Sequence, residues 1–118
     1  MREIQTENKN MVEQYMDRKT DHDRILSCLT DDVEWVIPGV FHVRGKEAFD
    51  EQIEGDGFVG SPAITVMRLT EEDDVVVAEG SVRTQRKDGA VVHLAFCDVF
   101  EMQGGRIRRL ISYLMETR

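Results

Sequence analysis

The sequence predicts an α+β domain: a curved β-sheet, mixed or antiparallel, wrapped around three helices from the N-terminal half. Three observations predict it. Apolar residues recur at helical spacing in two segments before the first strand-like run and in one segment after it. The second half is four consecutive runs rich in β-branched and aromatic residues. Residues with turn chemistry separate those runs at short intervals.

The first helix is read from Arg2 to Lys19, where Ile4, Met11, Val12, Tyr15 and Met16 form an apolar stripe between polar neighbours. Thr20, with Asp23 three places later, resembles a capping box. It opens a short second helix whose buried stripe is Ile25, Leu26, Cys28 and Leu29. Val33, Trp35 and Ile37 then alternate with Glu34 and Val36, which is strand periodicity. Pro38 has no N–H to give a ladder and ends the pairing. VFHVR reads as a loop. GKEAFDEQI places Ala48, Phe49, Gln52 and Ile53 on one side of a third helix closed by Gly55, and GDGFVGSP reads as a second loop.

The four runs that follow, PAITVMRLT, VVVAEGSVRTQR, AVVHLAFCDVFEM and RIRRLISYLM, read as an antiparallel meander. Asp88-Gly89 is a signal for a two-residue type I′ hairpin, which needs positive φ at both positions. That loop sets Lys87 against Ala90, Arg83 against Leu94, Ser81 against Phe96 and Glu79 against Asp98. Two carboxylates are then expected side by side on the inner face. The opposite face carries Val76, Ala78, Val82, Ala95, Cys97 and Val99, so both faces need covering. Read as a three-residue loop, QGG pairs Asp98 with Leu110 and Phe96 with Ser112. Leu110, Ser112 and Leu114 then lie inside and Tyr113 outside, and a two-residue loop would reverse that assignment.

A chain of 118 residues without repeats or linkers is expected to form one domain, residues 1–118, burying roughly two thirds of its unfolded surface. A net charge of -8 argues against a nucleic-acid partner, and no apolar run is long enough to span a bilayer. The start lacks a basic and apolar leader pattern and there are two cysteines, so a cytoplasmic location is expected. Three scattered histidines offer no zinc spacing and no acidic loop reads as a calcium site. GDGFVG lacks the lysine of a P-loop, and no metal or cofactor is implied. Cys28 and Cys97 read as packing residues. His22 belongs to the start of helix two, and His93 faces outward opposite Thr84. His42 sits in the loop after Pro38, at the expected pocket mouth.

Four local features now carry a resemblance: the tyrosine late in helix one (VEQYMD), LTDDVEWVIPG after helix two, RGKEAF opening helix three, and CDVFEMQGGRIRRLISYL at the end. In order and spacing the chain resembles the nuclear transport factor 2-like superfamily, in its SnoaL-like and ketosteroid-isomerase-like branch. The resemblance implies a cone-shaped pocket between sheet and helices and a homodimer through the outer sheet face. It also implies that Tyr15 and Asp98 match the two hydrogen-bond donors that isomerases of this branch direct at an oxyanion. The base of those enzymes falls where this chain has Ile37, so steroid isomerisation by that route is not expected.

The functional expectation is a small, largely apolar organic ligand, with isomerase, cyclase or dehydratase chemistry through Tyr15, Asp98 and Glu79 as the catalytic candidates. A coupled pair of carboxyl groups divides into one acid and one base. Trp35, Ile37, Phe49, Ser81, Arg83, Phe96, Phe100, Leu110, Ser112 and His42 are the expected ligand-binding residues. Arg83 and Asp98 also imitate part of the Asp-Arg-Asp set of limonene-type epoxide hydrolases, but the last strand offers no second inward acid. Two competing readings stand beside the enzyme. One is a non-catalytic binding or dimerisation module in which an arginine neutralises Glu79, and the other is a subunit of a larger complex.

Overall fold

The computed structural model describes residues 6–17, 22–54 and 58–117. Helix α1 (Glu7–Met16) is followed by α2 (His22–Leu26), strands β1 (Leu29–Ile37) and β2 (Phe41–Arg44), and helix α3 (Lys46–Glu54). Strands β3 (Phe58–Glu72), β4 (Val75–Arg86), β5 (Val91–Gln103) and β6 (Arg106–Thr117) complete the chain. The six strands form one mixed sheet in the order β2-β1-β6-β5-β4-β3, antiparallel except where β1 lies parallel to β6. This is the cone-type α+β arrangement expected.

Thr6 caps helix α1 ahead of Glu7, accepting the Lys9 N–H at 3.1 Å. The same hydroxyl donates to the Glu71 carboxylate, and Asn8 adds a bond to Glu71 at 3.0 Å and one to Asp74 at 3.2 Å. The first turn of α1 is thereby tied to the β3–β4 hairpin. Val12, Tyr15 and Met16 bury the other side of the helix. The remainder of the expected first helix and the Thr20 cap lie outside the described residues. Cys28 and Leu29 are fully buried as expected, but beyond the helix: α2 ends at Leu26, and Leu29 begins β1.

Two segments read as loops are strands. VFHVR contributes β2, which folds back on β1 with Trp35 opposite Val43 and Ile37 opposite Phe41. Within GDGFVGSP, Phe58 and Val59 already pair with Arg86 and Gln85. In both places glycine and proline suggested loops, while the backbone hydrogen bonds of a neighbouring strand decided the structure.

The β4–β5 register differs from the expectation by one residue. Arg83 faces His93, Ser81 faces Ala95, Glu79 faces Cys97, and Ala78 faces Asp98. The cause is the turn. Of Asp88 and Gly89 only Gly89 has positive φ, at 92°, and Arg86 N–H bonds back to the Ala90 carbonyl at 2.8 Å, leaving a three-residue loop. The two-residue hairpin with positive φ at both positions is instead Asp73-Asp74, at 48° and 63°, between Glu72 and Val75. Side chains alternate along a strand, so this slip reverses every β4 assignment. Val76 and Ala78 are fully buried in the core, and Glu79, Ser81 and Arg83 turn outward.

On β6 the expected pairs Asp98–Leu110 and Phe96–Ser112 are each off by two residues, so only the inward and outward parity holds, and for a different reason. Gln103 pairs with Arg106 around a two-residue Gly104-Gly105 turn, and a bulge between Glu101 and Met102 shifts the ladder by one. Asp98 therefore faces Ser112 and Phe100 faces Leu110, with Leu110 and Ser112 buried and Tyr113 outside. Leu114 shares the inward parity but lies near the strand end and is 44% exposed.

Candidate functional site

The inner face of the sheet is built from alternate residues of β5, β6 and β1, covered by α1 and α3. Phe96, Asp98, Phe100 and Met102 of β5 are all buried, as are Leu110 and Ser112 of β6. Parallel pairing of β1 with β6 sets Trp35 beside Leu110. Helix α3 packs Phe49 flat against Trp35, with ring centroids 4.6 Å apart and planes 27° apart. Tyr15, 1% exposed, is wedged edge-on between Phe49 at 6.0 Å and Phe100 at 5.6 Å. Phe41 meets the Trp35 ring edge-on at 5.3 Å. The result is a continuous aromatic row: Phe41, Trp35, Phe49, Tyr15, Phe100.

Into this apolar surface the fold introduces two buried polar side chains among the described residues, Asp98 and Ser112, which are register partners. Trp35 Nε1–H donates to Ser112 Oγ at 3.0 Å, so the indole is fixed by a hydrogen bond as well as by stacking. Phe100 lies two residues beyond Asp98 on the same face, and Tyr15 packs over that part of β5. A carboxyl group, a hydroxyl and a phenol among aromatic rings can orient a flat apolar molecule and move a single proton.

Of the residues singled out from sequence, Tyr15, Trp35, Ile37, Phe49, Phe96, Asp98, Phe100, Leu110 and Ser112 belong to this inner side. Four do not. Glu79 is outside, bound to the Arg68 guanidinium through both Nε, at 3.1 Å, and its terminal nitrogen, so it forms no dyad with Asp98. Ser81 and Arg83 are exposed on the same outer face. With Arg83 pointing away from Asp98, the partial Asp-Arg resemblance to epoxide hydrolases is not assembled. His42 pairs with Val36 on the outer face, 3.7 Å from Glu34, rather than at a pocket mouth. His93 is outward as expected, but opposite Arg83.

Phe41 was missed because its segment read as a loop. The alternation of Phe41 and Val43 with His42 and Arg44 was the available signal. The outer face also holds more than expected. Met67, Arg68, Glu79, Cys97, Tyr113 and Met115 border a groove of about 740 Å³, and Met67 and Met115 are 77% and 71% exposed. Met67 stands out because the β3–β4 register slips there. Burial pushes the Cys97 thiol pKa up, and the charges of Glu79 and then Asp98 push it further, so the thiol is held protonated. Beside the groove the outer face is charged: Glu34 contacts Arg44 at 3.1 Å and Arg109 at 3.7 Å, and Glu101 contacts Arg108 at 2.6 Å and Arg109 at 3.7 Å.

Among the described residues no cluster of three or more His, Cys, Asp or Glu side chains is placed to hold a metal. No described helix is long and apolar enough to cross a membrane.

Solved structures share this architecture. An LEH-like epoxide hydrolase from M. tuberculosis is 21% identical, with 92% of this chain and 83% of that one covered and a TM-score of 0.78. An NTF2-like protein of unknown function from Burkholderia pseudomallei K96243 is 18% identical over 94% of this chain and 92% of its own, with a TM-score of 0.82. A putative SnoaL-like polyketide cyclase from Jannaschia sp. CCS1 is 19% identical over 97% and 89%, with a TM-score of 0.80. At these identities the likeness is one of fold. No curated protein sequence matches significantly. Residues 12–110, most of the chain, match the SnoaL-like domain, and the chain belongs to that family.

Proposed function

We propose that this protein binds a small, largely apolar cyclic molecule against the inner face of the sheet and catalyses its isomerisation or cyclisation with Asp98 as the proton-transfer group. The observation that carries the reading is the pair of buried polar side chains, Asp98 and Ser112, facing each other inside an otherwise aromatic and aliphatic surface. A buried carboxyl group in a core costs stability, and perturbed or buried titratable groups concentrate at functional sites.

Without Glu79 the chemistry rests on a single carboxyl group. Asp98 as carboxylate accepts a proton from a C–H next to a ligand carbonyl, and the C–H electron pair moves onto the carbonyl oxygen as an enolate. Tyr15 donates its phenolic hydrogen bond to that oxygen. Where a C=C lies beyond that carbon, the intermediate is a dienolate, which takes the proton back at the far end of the former double bond as that bond shifts into conjugation, and this is isomerisation. Alternatively the enolate closes on a second carbonyl whose oxygen receives the proton, which is cyclisation. Each route returns Asp98 to its starting state and needs no cofactor. Dehydration asks for a leaving hydroxyl to be protonated while a C–H is deprotonated, a task better suited to two groups.

The outer groove is proposed as the homodimer face, since it gathers exposed Met67, Tyr113 and Met115 on one surface. A second functional reading is favoured by the Arg68–Glu79 pair. An arginine neutralises the carboxylate expected to complete an acid-base dyad, as in a binding module without catalysis. Asp98→Asn separates the two. The variant of an enzyme folds and binds flat apolar probes but loses turnover by 100-fold or more, an order of magnitude typical of a lost general base. Screening cyclic ketones and diketones by proton NMR for deuterium exchange at the carbon next to the carbonyl is the direct assay. Exchange that survives Asp98→Asn would remove Asp98 from the mechanism.

A further inference from the structure

Ser112 is 3% exposed, and its oxygen is occupied on the acceptor side by the Trp35 indole N–H at 3.0 Å. A serine hydroxyl has one hydrogen to donate and two lone pairs to accept with. The indole N–H points at the oxygen, so the hydroxyl hydrogen must turn elsewhere. No described residue accepts it. Trp35 cannot swing away to change this, because Phe49 is stacked on its face and Phe41 abuts its edge. A nearly fully buried donor is therefore oriented by a fixed partner, and its own hydrogen remains to be satisfied.

We infer that Ser112 is a ligand-recognising donor whose hydrogen is accepted by an uncharged oxygen, a ring carbonyl or ether, of the molecule bound on the inner face. The neighbour sets the class of oxygen. Asp98 is directly across the ladder, and a carboxylate or phosphate ligand would approach it against like charge in a poorly solvated place and on a protein of net charge -8. A neutral carbonyl takes the hydrogen bond without that repulsion. The neighbouring surface, the Trp35 indole bonded to Ser112 and its register partner Leu110, favours a flat ring over a chain. Trp35 is in this scheme a positioning residue that dictates which way Ser112 donates. The inference rests on the inner face being the ligand site, and its test separates the two.

Two probes of nearly equal shape differ in the acceptor alone: 1-tetralone carries a ring carbonyl and tetralin does not. Trp35 is the chain's only tryptophan, so its single indole N–H resonance in a proton–nitrogen NMR spectrum reports binding. Wild-type protein is expected to bind tetralone about 5- to 10-fold more tightly than tetralin, the effect of one hydrogen bond. Ser112→Ala abolishes that preference by weakening tetralone alone, and Ser112→Thr, which keeps the hydroxyl, restores it. A merely structural role for Ser112 would weaken both probes together and overturns the inference. So does an equal affinity for both probes in wild type, although in that case the ligand site itself stands. If neither probe moves the Trp35 resonance at millimolar concentration, the inner face is not the ligand site and both readings fail.

Discussion

Asp98 and Ser112 face each other across the β5–β6 ladder, both buried, and Ser112 in turn holds the Trp35 indole at 3.0 Å. The indole bond ties β1 to β6 on the inner face, and Asp98 of β5 stands next to it in the ladder within an apolar surface. Trp35→Phe keeps a ring to stack on Phe49 but removes the indole N–H and part of the contact area. The expected cost is about 1–3 kcal/mol from one lost hydrogen bond and a smaller ring. Urea unfolding followed by circular dichroism measures it, since the variant has no tryptophan fluorescence. A loss well below that range would mean the bond to Ser112 contributes nothing to the fold.

The junction between α1 and the β3–β4 hairpin should be acid-sensitive. Glu71 has its pKa lowered, chiefly by the hydrogen bond from Thr6; burial opposes it, and the Asn8 hydrogen bond and the charge of Lys9 add smaller downward contributions. A carboxylate depressed in the folded state adds stability that is fully present above its unfolded value, near pH 4.3. That stability is lost as pH falls from there through the folded pKa. Glu71→Gln is therefore expected to be less stable than wild type at pH 7, with the two curves converging in acid. Thermal melts from pH 7 to pH 3 would show it. A constant gap between the two proteins over that range would mean that ionisation of Glu71 is not what ties the helix down.

The order of helices and strands, β2 apart, was legible because period 3.6 and period 2 patterns extend over whole elements, and so were Tyr15, Trp35, Phe49 and Asp98 as inner residues. Register was not, because it depends on one residue at a time. Val75, Val76 and Val77 put valine on both faces of β4, hiding the alternation that would have shown Val76 and Ala78 to be inside. With that signal silent, the assignment rested on the Asp88-Gly89 turn. Two-residue and three-residue loops both accommodate that dipeptide, and the slip carried Glu79 from the inner face to Arg68 on the outer one. On β6 the bulge at Glu101/Met102 compensated a misjudged loop length, so Leu110 and Ser112 were placed inward correctly by a parity that sequence did not reveal.

Cys97 should be a slow thiol. Its pKa is raised by burial first, then by the negative charges of Glu79 and Asp98, with Arg68 opposing, and only the thiolate is nucleophilic. Alkylation by iodoacetamide at pH 8 is expected to be slower than that of a free cysteine peptide. Glu79→Gln should speed it by removing one of the charges and leaving Arg68 unpaired. A slower reaction in the variant would contradict this electrostatic account.

The apolar groove on the outer face gives the proposed dimer a specific test. Met115 and Tyr113 are 71% and 51% exposed beside Met67, while the neighbouring end of the same face is occupied by the Glu34 and Glu101 ion pairs with Arg109. A carboxylate introduced at Met115 would be desolvated in an apolar contact without a partner. Met115→Glu should therefore convert a micromolar dimer to monomer in sedimentation equilibrium while circular dichroism stays unchanged. Wild type sedimenting as a monomer at that concentration would refute the interface.

Gly80 provides the sharpest packing prediction. It stands opposite Phe96 on β5 and opposite Val66 on β3, one step from the register slip at Met67. A Cβ at this position would lie 1.9 Å from the Thr65 carbonyl oxygen and 2.9 Å from the Phe96 ring. The first neighbour is backbone within the sheet and cannot move aside without breaking ladder hydrogen bonds. The second is a 5% exposed core ring with little room to shift. Overpacking of this kind costs about 1–3 kcal/mol where side chains can adjust, and more where backbone is the obstacle. Gly80→Ala is accordingly expected to lose at least about 3 kcal/mol in urea unfolding, or to fail to accumulate as folded protein. Because Phe96 belongs to the inner face, a surviving Gly80→Ala protein should also show a displaced Trp35 indole resonance. A variant as stable as wild type, with that resonance unmoved, would mean that β3 and β4 do not approach as closely at Gly80 as this packing requires.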